Sequence, residues 1–381
     1  MVYRMTEWIE CTLDKLGEIV GGATPSTKCE DYYGGSIPWI TPKDLSSFKG
    51  RYITSGERNI TEKGLASCSA QMMPKDAVLF TSRAPIGYVA IASQSVCTNQ
   101  GFKSIVVNDK ADPLFVYYLL KYNKDAIEAM GSGTTFKEVS GKTMRAVKVR
   151  IPLDVSYQKR IAAVLDSLDT KIENNERIND NLLEQASSIY QAWFEDFILS
   201  DGSCPPSWKQ GTLAGIADIT SGKRPPVKSA EKTDNAIIPI VGAASVMGYT
   251  TEANHTDKIL VTGRVGTHGV VQRFNSPCWA SDNTLVITSA FYEYTFQILQ
   301  RIDYRTLNRG STQPLITQGD MNKVPILIPD NETLLKFETL VGQLMKQYQV
   351  NLLENDKLAE LRDALLPKLM SGEIDVSAVH F

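Results

Sequence analysis

A chain of 381 residues, 43% apolar and 22% charged, is long enough for two folded domains and too apolar to be disordered. Its net charge of -3 gives no overall attraction for a polyanion, no apolar run is long enough to span a bilayer, and Met1–Glu7 lacks the apolar core of a secretory leader. The six cysteines show no CxxC or Cys/His spacing suited to a metal, which fits reduced thiols in a cytoplasmic protein.

In chain order, 1–150 reads as a turn-rich α/β lobe. Short β-branched or aromatic runs at 77–80, 88–92 and 104–107 are bounded by Gly, Pro and Ser, and a helix is expected over 113–122. The segment 151–200 then carries an apolar seam spaced alternately four and three apart: Ile161, Leu165, Leu168, Ile172, Asn175, Asn179, Leu182, Ala186, Ile189 and Trp193. A period of 3.5 is what a long helix needs to lie along a partner helix, and Asn inside such a seam gives up stability for register. A second lobe over 201–330 offers strands near 237–241, 258–261, 269–274 and 283–288 in the same order. The stretch 331–381 repeats the seam with Phe337, Val341, Leu344, Tyr348, Asn351, Asn355, Leu358, Arg362, Leu365 and Leu369.

The repetition runs through the whole chain. Trp8, Thr12-Leu13 and Gly22 recur as Trp208, Thr212-Leu213 and Gly222 at an offset of 200. Val78-Leu79-Phe80-Thr81-Ser82-Arg83 recurs as Ile259-Leu260-Val261-Thr262-Gly263-Arg264 at 181, and Gly133-Thr134-Thr135 and Ile151-Pro152 recur as Gly310-Ser311-Thr312 and Ile328-Pro329 at 177. The falling offset means that roughly twenty residues are missing from the second lobe, while the helix after it keeps its length. The plan is lobe, helix, lobe, helix.

Charge is segregated along this plan. Residues 1–150 hold 19 basic and 15 acidic side chains (+4) and 201–330 hold 12 and 11 (+1), whereas 151–200 hold 4 and 9 (-5) and 331–381 hold 5 and 8 (-3). A polyanion would be held by the lobes and repelled by the helices. A forty-residue helix is a rod of roughly 60 Å, enough to place two lobes over major-groove faces about 34 Å apart or a multiple of that. A two-part site with unread base pairs between its halves is therefore expected.

Three pairs of loops have the chemistry to touch nucleic acid. The first places Ser82 and Arg83 in one lobe, and Arg264 and His268 in the other, among small hydrogen-bonding residues, suited to a phosphate or a guanine edge. The second pair carries Thr134 and Lys137, matched by Arg309 and Thr312; the third carries Lys28, matched by Lys223 and Arg224. Asn175, Asn179, Asn351 and Asn355 are the expected register residues of the helix pair.

These residues carry a resemblance. Gly21-Gly22-Ala23-Thr24-Pro25-Ser26, the 78–87 segment, and Ile151-Pro152 through Gln158, Ile161, Leu165, Leu168-Asp169 and Ile172 resemble the specificity subunit of type I restriction-modification systems over essentially the full length. Here Leu153 and Tyr157-Gln158 stand where the family usually has a second proline and a Glu-Gln pair, and the second lobe has Lys223-Arg224-Pro225-Pro226 in place of Thr-Pro-Ser. The resemblance implies two α/β target recognition domains in pseudo-twofold repeat, separated by two long antiparallel coiled-coil helices: 1–150, 151–200, 201–330 and 331–381. It further implies a non-catalytic reader of double-stranded DNA that works with two modification subunits binding S-adenosylmethionine and with restriction subunits using ATP and Mg, with no cofactor or metal in this chain and no membrane.

The residues agree that chemistry is not expected here. Neither Pro-Pro site has the Asn/Asp-Pro-Pro-aromatic form of an amino-methyltransferase, and no P-loop or GxGxxG is present. Asp154 with Asp169-Thr170-Lys171 does not make a nuclease, because the seam puts Asp169 on a helix. His255, His268 and His380 are too isolated to ligate a metal. Two rivals stand beside this reading: a coiled-coil scaffold that joins proteins without touching DNA, and a nucleic-acid enzyme with its site in a lobe cleft.

Overall fold

The computed structural model describes residues 7–83, 85–133, 137–310 and 314–379. It divides into two compact units, Met1–Asn175 with Leu353–Phe381 and Glu176–Leu352, so each unit holds one lobe and part of both long helices.

In the first unit Trp8–Thr12 pairs antiparallel with Lys148–Pro152, which brings the two ends of the lobe together. A five-stranded sheet follows in the order Gly17–Gly21, Lys103–Val107, Val78–Ser82, Ile86–Ala92 and Tyr52–Ile53, antiparallel except at its last pair. A smaller sheet joins Asn59–Ile60, Tyr33–Ile40 and Cys97–Thr98. All five residues of Val78–Ser82 are buried because both faces of the strand are covered. Its side chains alternate between two cores: Val78 and Phe80 pack with Ile105 and Phe115, whereas Leu79 packs with Ile40, Ala90 and Phe102. Helix Pro113–Tyr122 starts where the Asp112 carboxylate accepts from the Phe115 N–H, and Pro113, with its φ already fixed near the helical value, is its first residue. Phe115–Leu120 are all buried.

The second unit repeats this plan. Lys209–Thr212 pairs with Pro325–Ile328; a four-stranded sheet runs Asp218–Ser221, Thr284–Thr288, Ile259–Gly263, Gln272–Phe274; and a three-stranded sheet runs Val246–Thr250, Ile238–Val241, Trp279–Ala280. The missing residues lie between Val241 and Ile259, where the first lobe, from Ile40 to Val78, fits helices Pro42–Ser46 and Glu62–Ala66 and strands Tyr52–Ile53 and Asn59–Ile60. Helix Tyr292–Arg301, absent from the sequence reading, is the counterpart of Pro113–Tyr122. Its aromatic sequence resembles a strand, and its N-terminus is satisfied from far away: Glu338 accepts the N–H groups of Glu293 and Tyr294 at 3.1 and 2.8 Å.

The long helices span Val155–Tyr190 and Asn331–Ser371. The first begins only after Ile151-Pro152 have closed the lobe as a strand, and it ends in a π turn, Gln191–Glu195, whose Phe194 joins Tyr190, Trp208, Tyr294 and Phe337 in an aromatic cluster. Within each unit the helical segments run antiparallel: Asp169 meets Arg362 and Asn175 meets Asn355 in the first, and Asn179 meets Asn351 and Tyr190 meets Phe337 in the second. None of the twenty seam residues is exposed. Ala162, Asp169, Tyr190, Phe194, Leu334 and Met345 are buried as well, off the seam, because the helices also cover the lobe cores. Among the described residues no helix is long and apolar enough to cross a membrane.

Candidate nucleic-acid interface

In the first lobe, two of the candidate loops, those of Lys28 and of Ser82-Arg83, are tied to one segment, Thr98–Phe102. The Ala23 N–H donates to the Thr98 carbonyl at 3.0 Å, Thr24 bonds Gln100, and the Ser82 N–H donates to the Gly101 carbonyl at 2.7 Å. Gly22 is required there, since a Cβ would sit 2.2 Å from the carbonyl oxygens of Thr98 and Asn99. The loop after it is fixed by Trp39 Nε1 donating to the Ala23 carbonyl at 3.0 Å and the Tyr33 hydroxyl donating to that of Pro25 at 2.7 Å, which leaves Lys28 exposed beyond.

The first and second loops are stitched together. The Val139 N–H donates to the Ser82 carbonyl at 2.9 Å, and Arg83 and Ser132 both form bridges with Glu138. Ser82 is buried, and its hydroxyl has no partner among the described residues. The Glu138 carboxylate lies 3.7 Å from Arg83 Nη1 and 3.6 Å from Lys103 Nζ, with exposed Lys137 next to it in the chain. Gly87 takes φ +98°, where a side chain would run into Lys124. Thr134 and Thr312 lie outside the described residues.

The second lobe repeats this junction around Ala280–Asn283. The Lys223 N–H donates to the Ala280 carbonyl at 2.9 Å, and the Arg264 N–H donates to that of Asn283 at 2.8 Å. A Cβ on Gly222 would sit 2.1 Å from the Ser281 carbonyl. Val265 bridges Leu315, the Gly266 N–H donates to the Pro314 carbonyl at 3.1 Å and the Arg309 N–H to that of Leu315 at 3.0 Å, so the loops of Arg264 and Arg309 meet as those of Arg83 and Lys137 do. Lys223 and Arg224 are exposed. Trp279 Nε1 donates to the Lys223 carbonyl at 2.7 Å, as Trp39 does to Ala23, although the two indoles come from opposite members of the equivalent parallel strand pair. His268 has Nδ1 3.3 Å from the Gly263 carbonyl and a buried Nε2. Arg309 pairs with Asp320, a buried carboxylate held below its usual range by the Thr317 hydroxyl.

The sequence reading missed the two central segments and both carboxylates. Cys97-Thr98-Asn99-Gln100-Gly101 and Trp279-Ala280-Ser281-Asp282-Asn283 carry only a turn signal, and their strands, Cys97–Thr98 and Trp279–Ala280, are too short for a period.

The four asparagines of the seam lie apart from these loops and form two pairs. In the first unit Asn175 Nδ2 donates to Asn355 Oδ1 at 2.8 Å and to Glu354 at 2.7 Å, while Lys171 Nζ donates back to Asn175 at 3.1 Å. In the second, Asn351 Nδ2 donates to Asn179 Oδ1 at 2.9 Å and Asn179 Nδ2 to the Tyr348 carbonyl at 3.3 Å. A buried amide pair satisfied in this way fits one stagger of the helices and leaves unpaired groups in any other.

Each lobe also holds buried ionic contacts. Arg51 reaches Asp166, Thr170 and both carboxylate oxygens of Glu173 on the first helix, and Arg273 pairs with Glu293 at 2.7 Å beneath Tyr292 and Phe296. Among the described residues no group of three or more His, Cys, Asp or Glu gathers as a metal site.

Comparison with known proteins agrees with this architecture. The family model for the type I restriction modification DNA specificity domain matches residues 5–184 and 205–362. The chain is 33% identical over 410 residues to the type I restriction enzyme MjaIX specificity subunit of Methanocaldococcus jannaschii, covering 97% of this chain and 94% of that one. It is 26% identical to the HindI specificity subunit of Haemophilus influenzae, over 71% of this chain and 80% of the relative. The crystal structure of a type I restriction-modification S subunit from M. genitalium shares the fold, with a TM-score of 0.60 at 18% identity and 97% coverage of both chains. Duplicated lobes, matched long helices and a family match over most of the length lead to one conclusion: this chain belongs to the specificity subunits of type I restriction-modification systems.

Proposed function

We propose that the chain is the non-catalytic DNA reader of its system, with each lobe recognising one half of a split, asymmetric duplex target and the paired helices setting the gap. The observation that carries this is the repeated junction: in both lobes the loops bearing Lys28 and Arg83, or Lys223 and Arg264, are tied to one central segment by backbone hydrogen bonds, and the loop bearing Lys137, or Arg309, is bonded in turn to the arginine loop. A rigid frame of this kind limits the entropy lost when the loops meet DNA. The lobes carry the positive charge and the helices the negative, which assigns the helices to protein partners. Those partners are two modification subunits, which bind S-adenosylmethionine and methylate adenine, and restriction subunits, which use ATP and Mg to move and cut DNA in the cytoplasm; this chain holds no cofactor of its own.

The test is to map methylated adenines genome-wide in a host carrying the system, with the native chain and with one heptad removed from each helix at matched positions. The native chain gives a two-part motif with unread positions between its halves, and the matched deletion changes the number of those positions without changing either half. An uninterrupted motif, or a gap that ignores the deletion, refutes the reading.

A further inference from the structure

The surfaces that bear the cations are not uniformly positive. In each lobe one carboxylate is set against one arginine of the junction: Glu138 against Arg83, and Asp320 against Arg309. Glu138 is fixed by its backbone, which bridges both Arg83 and Ser132, and its carboxylate also faces Lys103. Asp320 is only 7% exposed and is held by the Thr317 hydroxyl and N–H, while the Arg309 side chain is 65% exposed. No carboxylate among the described residues pairs with Arg264.

A carboxylate in a surface meant for a polyanion lowers its affinity for any phosphate, so its place there needs a reason. A guanidinium has more than one edge of N–H donors. When a carboxylate takes one edge, the side chain is oriented and the other edge still presents parallel donors, which match the O6 and N7 acceptors of guanine. A guanine edge is neutral and binds without repulsion from the carboxylate. A phosphate on the same guanidinium carries a charge like that of the carboxylate and is disfavoured.

We propose that Arg83 and Arg309 are the base-reading arginines of the two lobes, each directed to a guanine edge and away from phosphate by its carboxylate, Glu138 or Asp320. Arg264, with no such partner, is then a backbone contact, so the two lobes use different loops to read. This inference rests on the DNA-reading function proposed above.

The experiment uses the full chain assembled with its modification subunits. Binding is measured by fluorescence anisotropy on a duplex carrying the methylated motif and on a shuffled duplex, across a KCl series. Arg83→Ala and Arg309→Ala each weaken target binding roughly tenfold or more and leave both the shuffled duplex and the salt slope unchanged. Arg264→Ala weakens both duplexes alike and lowers the slope by about 1. Glu138→Gln and Asp320→Asn strengthen binding to the shuffled duplex severalfold and narrow the ratio between the two. Because Asp320 also caps a helix, Arg309→Lys serves as a second probe: it keeps the charge and loses target binding as Arg309→Ala does. If Arg83→Ala and Arg309→Ala weaken both duplexes equally and flatten the slope, the arginines are phosphate contacts and the inference is wrong. If the native complex does not distinguish the two duplexes, the DNA-reading function itself fails.

Discussion

Asp169 offers a quantitative test of how the first lobe is joined to the helix pair. Its carboxylate is 8% exposed and accepts from Arg362 Nη1 and from the fully buried Tyr118 hydroxyl, both at 2.7 Å. Asp169→Ala leaves the Tyr118 hydroxyl in an apolar core without an acceptor, a loss of about 1–3 kcal/mol, and removes a charge-assisted bond worth about 1.5–3 kcal/mol. Arg362 keeps Asp363 as a partner, so its charge is not stranded. The expected destabilisation is therefore about 2.5–6 kcal/mol, which brackets the roughly 3–5 kcal/mol for breaking one side of a buried ion pair. Replacing the set together, Asp169→Met with Arg362→Leu and Tyr118→Phe, removes the polar groups as well as their bonds and is expected within about 1 kcal/mol of the native chain. Urea unfolding followed by circular dichroism, with unchanged m-values, measures both. A loss under about 1 kcal/mol for the single variant, or a triple variant as unstable as the single, refutes this account.

Other outcomes follow from the same geometry. Burial pushes the Glu338 carboxyl up to about 7, so between the ordinary glutamate value and pH 7 the folded chain holds a proton that the unfolded chain has lost. Its contribution is most favourable below about pH 4.5 and falls as the pH rises to 7, by on the order of 3 kcal/mol. Glu338→Gln removes that slope, and equal pH dependence of unfolding in native and variant chains would show that the group titrates normally. Gly22→Ala and Gly222→Ala drive a methyl into backbone carbonyls and are expected to cost about 1–3 kcal/mol each in thermal unfolding, whereas Gly21→Ala, with nothing within 4 Å of the new carbon, is a silent control; a silent Gly22→Ala contradicts the crowding. Replacing all four amides, Asn175→Leu, Asn179→Leu, Asn351→Leu and Asn355→Leu, raises the unfolding midpoint while allowing the helices more than one stagger, seen as multiple distances between spin labels on them; one sharp distance means that the amides do not set register.

What could be read from the sequence is what repeats along it. A 3.5-residue period sets a helix against a helix whatever lies elsewhere, and a strand such as 78–82 declares itself by β-branched and aromatic residues between turn formers, so the long helices, several strands and the duplication were legible, whereas Gly17–Gly21 and Tyr33–Ile40, interrupted by Gly and Pro, were not. The two-residue strands at Cys97–Thr98 and Trp279–Ala280 have no period to detect, and the helix at Tyr292–Arg301 depends on Glu338, 44 residues beyond Tyr294, to satisfy its first N–H groups. The candidate loops were identifiable by their side chains one at a time. That two loops of each lobe converge on Thr98–Phe102 or Ala280–Asn283 while the third is bonded to the arginine loop, and that Glu138 and Asp320 stand against their arginines, was decided only by tertiary structure, because hydrogen bonds and ion pairs between distant residues leave no periodic trace in the chain.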